Sequence, residues 1–214
     1  MPNRLYEASK QTASVQGIPN TGVDQVPGTI IKLVFVELAQ WNAYTPAITE
    51  TTVITSAFWT AFLATVDKTH VVTGFIDAFD VAETEGIMEG GNDNTTYNGV
   101  PRLRSITHAV ATGKISGISN AEAAAIRSLT AKSGNFQQGA RVGVLFLHEG
   151  NGLTILTGAK PMPVFNVRLF DPKMGGLGAS DDYSFKFEME GGWSFTKKTL
   201  ELAFVGATLT NPAP

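Results

Sequence analysis

Residues 183–190 read YSFKFEME, an alternation that places Tyr183, Phe185, Phe187 and Met189 on one side and Ser184, Lys186, Glu188 and Glu190 on the other. A period of two fits a strand whose one face is buried and whose other face meets water, and it fits no helix. Few features constrain the fold more. Gly191-Gly192 follows, a pair that readily takes the positive backbone angles of a tight turn. The spacing therefore predicts a C-terminal hairpin, returning through WSFTKKTLELAFVGATL at 193–209, with Trp193 beside the same apolar row.

Upstream of this pair most segments also read as strand. IIKLVFVEL at 30–38 is nearly continuous in apolar residues, VVTGFIDAFDV spans 71–81, and RLRSITHAVATGKISGI at 102–118 alternates loosely. RVGVLFL at 141–147 and LTIL at 153–156 flank a turn signalled by Asn151-Gly152, and PVFNVRLF occupies 163–170. The best-marked helix is 119–134: Ser119 and Glu122 stand at capping-box spacing, Ala123, Ile126 and Leu129-Thr130 form a narrow apolar stripe, and Gly134 supplies a stop. A second helix is expected over about 55–66, capped by Thr55 or Ser56, with Phe58, Ala61, Phe62 and Val66 on one face. The expectation is a mainly β protein with a two-sheet, sandwich or barrel-like core. Residues 1–28, broken by Gly17, Pro19, Gly22, Pro27 and Gly28, read as an extended arm, and 29–214 as a single β-rich domain.

Length and composition narrow the function classes. A chain of 214 residues with 43% hydrophobic content can bury a sizeable core, while its 16% charged residues fall below the roughly 25% of an ordinary domain. Such a surface is either covered in Ser, Thr, Asn and Gly or buried against other chains. The net charge of −3 offers no clustered cations for gripping phosphates; Arg102 with Arg104, and Lys197 with Lys198, are accounted for by solvated strand faces. With no cysteine there can be neither disulfides nor thiolate chemistry. The first residues lack the apolar core of a signal peptide, and no apolar run approaches the ~20 residues of a membrane helix, so synthesis in the cytoplasm and no membrane partner are expected.

The stretch EGIMEGGNDNTTYNGVP at 85–101 is the one place that resembles a ligand loop. A calcium-loop frame begun at Asn94 gives oxygen at Asn94, Thr96 and Asn98 and then Gly99, but it starts without Asp and ends on Ser105 instead of a bidentate Glu. No Lys and Ser or Thr follow Gly91 or Gly99 as a phosphate loop requires, and the Asn94-Thr95-Thr96 sequon matters only on export. The loop is expected to hold a shape, with Asn and Asp side chains bonding their own backbone. His70, His108 and His148 lie in separate elements without metal-ligand spacing, and no nucleophile elbow is present. Asp77 with Asp80, Glu83 with Glu85, and Asp181 with Asp182 fit solvated strand ends better than a glycosidase pair; Trp41, Trp59 and Trp193 fit core or interface anchors better than a sugar platform. No catalytic residue, cofactor or metal is expected.

The order of elements, with AEAAAIRSLTAKSG leading into RVGVLFLHEGNG and the ending DDYSFKFEMEGGWSFTKKTLELAF, resembles the tail tube proteins of bacteriophages and related contractile injection systems. The resemblance spans about 30–210. It implies a virion structural protein located in the tail, forming stacked hexameric rings around a channel through which DNA passes with non-specific contact at most. It further implies intersubunit sheets closing into a barrel, partners among other virion proteins, and no active site. The long 85–101 loop departs from a minimal tube subunit. Tyr183, Phe185, Phe187, Met189 and Trp193 then become candidates for the core or for assembly. A head-decoration or capsid-associated protein would account for the same composition, and a carbohydrate-binding β-sandwich is the remaining alternative.

Overall fold

The computed structural model describes residues 29–64, 70–83, 87–89, 102–105, 108–116, 118–134, 139–172 and 182–211. The arm proposed for 1–28 lies outside them, as do Val66, Glu85, Asp181 and most of the 85–101 loop. The chain is mainly β. Its strands are β1 (Ile30–Glu37), β2 (His70–Val72), β3 (Ile76–Glu83), β4 (Ile87–Glu89), β5 (Arg102–Ser105), β6 (His108–Ser116), β7 (Val142–His148), β8 (Gly152–Leu156), β9 (Met162–Leu169), β10 (Asp182–Glu190) and β11 (Lys197–Glu201). Three short helices, α1 (Leu38–Ala43), α2 (Glu50–Val53) and α3 (Ser56–Leu63), follow β1, and α4 (Asn120–Lys132) precedes β7.

Nine of these strands join in one antiparallel sheet that bends into two layers. The first layer runs β2-β1-β7-β8-β11 and the second β9-β10-β6-β3. Strand β9 joins them: Met162–Val164 pair with β7, and Phe165–Leu169 pair with β10. The bend falls at Asn166, whose φ of 50° is one that Asn tolerates far better than β-branched neighbours would. The end of α4 secures it. Asn166 N–H donates to the Gly134 carbonyl, Val167 N–H donates to Ser133 Oγ, and the Asn166 amide donates to Glu188 at 2.8 Å. Helix α4 itself starts with the expected capping box, Glu122 N–H on Ser119 Oγ and Ser119 N–H on Glu122 Oε2. It ends just before Gly134, at φ 71°, and buries Ala123, Ile126 and Leu129.

The first layer is covered on both faces. Leu33, Phe35, Val142, Val144 and Phe146 point into the core between the layers, while Val34, Val36, Leu145, Leu147, Leu153 and Ile155 pack under α1–α3. A strand buried on both sides has no solvent face to alternate with, and that accounts for the nearly continuous apolar runs of β1, broken at Lys32, and β7. The second layer has one wet face and alternates. Within it, β6 places Gly113, Ala111 and Ala109 opposite Phe185, Phe187 and Met189 of β10, and opposite Phe79, Val81 and Glu83 of β3. Small residues in the middle strand make room for the large ones on either side. A Cβ on Gly113 would come within 2.4 Å of the Phe185 ring.

Five expectations are corrected. β10 and 193–209 do not form a hairpin: both edges of β10 are already taken, by β6 and β9. Gly192 does turn, with φ 77°, but into a 3₁₀ segment, Trp193–Thr196, that carries the chain to β8 in the other layer, where only Lys197–Glu201 is strand. The β7–β8 turn places its positive angles at Gly150 and Asn151, one residue before the Asn-Gly pair. The buried face of α3 is Phe58, Trp59, Phe62 and Leu63, with Ala61 exposed. Lastly, 71–81 and 102–118 each divide into two strands, and part of the supposed loop, Ile87–Glu89, pairs with Arg102–Ser105.

Candidate assembly surfaces

Of the residues singled out on β10, Phe185, Phe187 and Met189 lie wholly inside the subunit. Phe187 stands edge-on to Phe35 across the core with centroids 5.7 Å apart, and stacks on Phe185 at 6.1 Å. Tyr183 is half-buried at the rim. Trp193, also half-buried, packs edge-on to Phe146 at 6.1 Å, and the Lys197 ammonium lies 5.9 Å from its ring centre. This row faces the interior, so a second subunit docking on β10 would meet its opposite side.

That opposite side is flat and mixed in charge. Cross-strand pairing sets Ser184 beside Lys114, Lys186 beside Thr112, Glu188 beside Val110 and Glu190 beside His108. Ala78, Asp80 and Ala82 of β3 extend the face on one flank and Arg168 of β9 on the other. Three cations (Lys114, Lys186, Arg168) meet four anions (Asp80, Asp182, Glu188, Glu190), and Lys186 reaches Glu188 at 3.4 Å. The face is therefore close to balanced in charge, with short side chains between its charges.

Beyond the faces are the edges. Among the described residues β3 is paired only with β6, and β11 only with β8, so each presents one open edge. They lie at the two ends of the strand order. β3 bears the exposed Asp77, Asp80 and Glu83, and β11 bears Lys197, Glu201 and Lys198, the last in an ion pair with Glu50 of α2. Charge on an open edge discourages indiscriminate pairing. Phe195, between β10 and β11, is 91% exposed, its ring lying over Gly192 with most of its surface turned outward.

The residues examined for chemistry are dispersed. His148 is buried and its Nε2 meets Thr154 Oγ1 at 2.7 Å, which in turn meets Thr199 Oγ1 at 3.0 Å, a polar chain tying β7, β8 and β11. His108 lies on the outer face of the second layer. Among the described residues no three His, Asp or Glu side chains converge as a metal site. Trp41 and Trp59 are core residues under α1–α3. No helix among the described residues is long and apolar enough to cross a membrane.

His70, only 6% exposed, sits 5.4 Å from the Phe62 ring with Nδ1 lacking a hydrogen-bond partner. Burial pushes its pKa below the ordinary 6.5, opposed by a bond to the Leu63 backbone. Above that value the ring is neutral in both states and contributes no pH dependence. As pH falls through it, the unfolded chain takes up a proton that the folded chain refuses, so stability is lost until the folded pKa is reached. A falling melting temperature is expected as the pH drops below about 6.5, flattened in His70→Phe, which has no imidazole to protonate. Identical slopes for parent and variant would show that His70 is not held neutral by the fold.

No family model matches the sequence, and no curated protein matches it. Among solved structures, the chain is similar to one in the virion of a native gene transfer agent particle, at 11% identity and TM-score 0.32, over 58% of this chain and 84% of that one. A chain in the tail of an empty gene transfer agent particle, of C6 symmetry, gives 11% identity and TM-score 0.31, over 60% and 82% respectively. A likeness of that degree carries no weight for function.

Proposed function

We propose that the protein is a virion structural subunit of a phage tail tube, one that self-associates into stacked rings around a channel for DNA and catalyses nothing. The observation that carries the reading is the pair of open edges, β3 and β11, at the two ends of a single sheet. Two different edges on one subunit make a head-to-tail contact, and such contacts give rings when the rotation closes and filaments when it does not. The three exposed carboxylates of β3 would repel a second β3, while Lys197 of β11 offers them an opposite charge, which favours β3 of one copy against β11 of the next. Sixfold closure follows from the resemblance in the order of elements. The near-balance of charge on the outer face, with anions slightly in excess, suits a channel lining that does not hold DNA.

The reading is tested by negative-stain microscopy of the purified chain across a concentration series, with light scattering alongside. Rings or tubes with a central channel are expected. Compact closed oligomers without a channel would favour a head-decoration role, and a stable monomer at every concentration would sink the assembly reading.

A further inference from the structure

Besides β3 and β11, the sheet has a third edge, and here the chain does something unusual. Strand β2 pairs on one side with β1. On its other side the primary amide of Asn211 does what a neighbouring strand would do. Val72 N–H donates to Asn211 Oδ1 at 2.8 Å, and Asn211 Nδ2 donates to the Val72 carbonyl at 2.7 Å. The stretch leading to Asn211 is held by a second polar device. Lys32 of β1 is only 5% exposed, and its ammonium donates to the carbonyls of Ala207 at 2.7 Å and Leu209 at 2.8 Å, with the Phe75 ring 4.7 Å away. Between these contacts Leu209 enters the core beneath α3.

We propose that residues 205–211 form an exchangeable latch: the cradle made by Lys32 and the Val72 edge, which holds this stretch within one subunit, also receives it from a second copy of the chain. The cradle reads features that any copy presents identically, two main-chain carbonyls and one amide side chain. An ammonium suits a site that must be both filled and empty, since water can solvate it when the latch is out and the carbonyls accept from it when the latch is in. An apolar residue in that place would leave exposed surface on opening. The way out of the subunit is also marked. Ala203 N–H is still bound to the Ile54 carbonyl, and the next residues, Phe204 and Val205, are half-buried and 54% exposed. Beside them lies an open recess of about 250 Å³ lined in part by Trp59, Leu63, Phe204 and Leu209, which leaves the α3 side of the stretch partly open, while Gly206 sits close against Leu202 and Leu147. A segment whose root is exposed at Val205 and whose contacts a copy can reproduce is the ordinary material of domain swapping. The inference concerns a different edge from the ring contact and stands without it.

The test is complementation between two full-length variants. Lys32→Met spoils the cradle and leaves the latch intact; Asn211→Ala spoils the latch and leaves the cradle intact. Each also carries Ala124→Cys, at an exposed position of α4 in a chain that has no cysteine of its own. One variant takes a donor dye and the other an acceptor, and energy transfer is read below the concentration at which the wild-type chain self-associates. Only the mixed pair contains an intact latch and an intact cradle on different chains. Association at least tenfold tighter in the mixture than in either variant with itself is the expected result. Equal association in all three mixtures would overturn exchange and leave the stretch as a fixed cover of the β2 edge. Should Lys32→Met fail to fold, Lys32→Gln serves as the cradle variant, retaining a polar group with fewer donors, and the same comparison decides.

Discussion

Phe187→Ala is expected to cost about 3–5 kcal/mol of folding stability, a large share of the roughly 5–15 kcal/mol a domain possesses. The ring has no exposed surface and is bounded by Phe35 across the core, Phe185 along the strand and Phe79 on β3. Its cross-strand neighbour is Ala111, whose methyl cannot move to fill the space. Removing the ring therefore leaves a cavity where both layers meet, and the cost is the lost burial plus that cavity. Lys186→Ala, on the outward side of the same strand, should stay within about 0.5–1 kcal/mol of the parent, since its 3.4 Å ion pair with Glu188 is partly solvated. Glu188→Ala also takes the acceptor from the Asn166 amide at the bend and should cost about 1–3 kcal/mol. Urea unfolding followed by circular dichroism measures all three. A Phe187→Ala protein that unfolds at the parent's midpoint but no longer assembles would show that the ring faces a neighbour, not the interior.

How much of this was legible in the sequence depends on how far each signal reaches along the chain. The alternation of 183–190 is local and survives because one face of β10 meets water. The capping box at Ser119 and Glu122 is likewise complete within four residues. The hairpin was misread for the same reason in reverse: Gly191-Gly192 announces a turn but not which edge the next strand will reach, and the edges of β10 are filled by residues about seventy and twenty positions earlier. Helix α1 gives no warning, because Glu37 makes no side-chain cap and only Trp41 is buried. The candidate surfaces were half visible. The inward row could be named from periodicity, whereas the open edges of β3 and β11 are properties of the strand order. Lys32 looked like a blemish in an apolar strand, and nothing near it in sequence reveals that its ammonium meets carbonyls 175 and 177 positions away.

The other large effect is expected beneath the helices, at Trp59. It is fully buried, touches Trp41, Phe58 and Phe62 with centroids 6.5, 5.3 and 6.2 Å away, and donates its indole N–H to the Val53 carbonyl at 2.7 Å. Two contributions separate by substitution. Trp59→Phe keeps most of the aromatic volume but leaves that carbonyl without its donor, and should cost about 1–3 kcal/mol. Trp59→Ala loses the ring as well and should cost about 3–5 kcal/mol or more. Ala61→Ser, one turn-neighbour away on the exposed side of α3, should be within about 0.5 kcal/mol of the parent. The order Ala61→Ser, Trp59→Phe, Trp59→Ala follows from the face observed for this helix and would not follow from one centred on Ala61. Far-UV circular dichroism in urea is the right probe, because the substitutions alter tryptophan emission directly. If Trp59→Phe proves as stable as the parent, the bond to Val53 contributes nothing and packing alone holds α2 and α3 on the sheet. If Trp59→Ala is equally stable, the helices are not part of the cooperative fold, and the double-sided burial of β1 and β7 would need another cause.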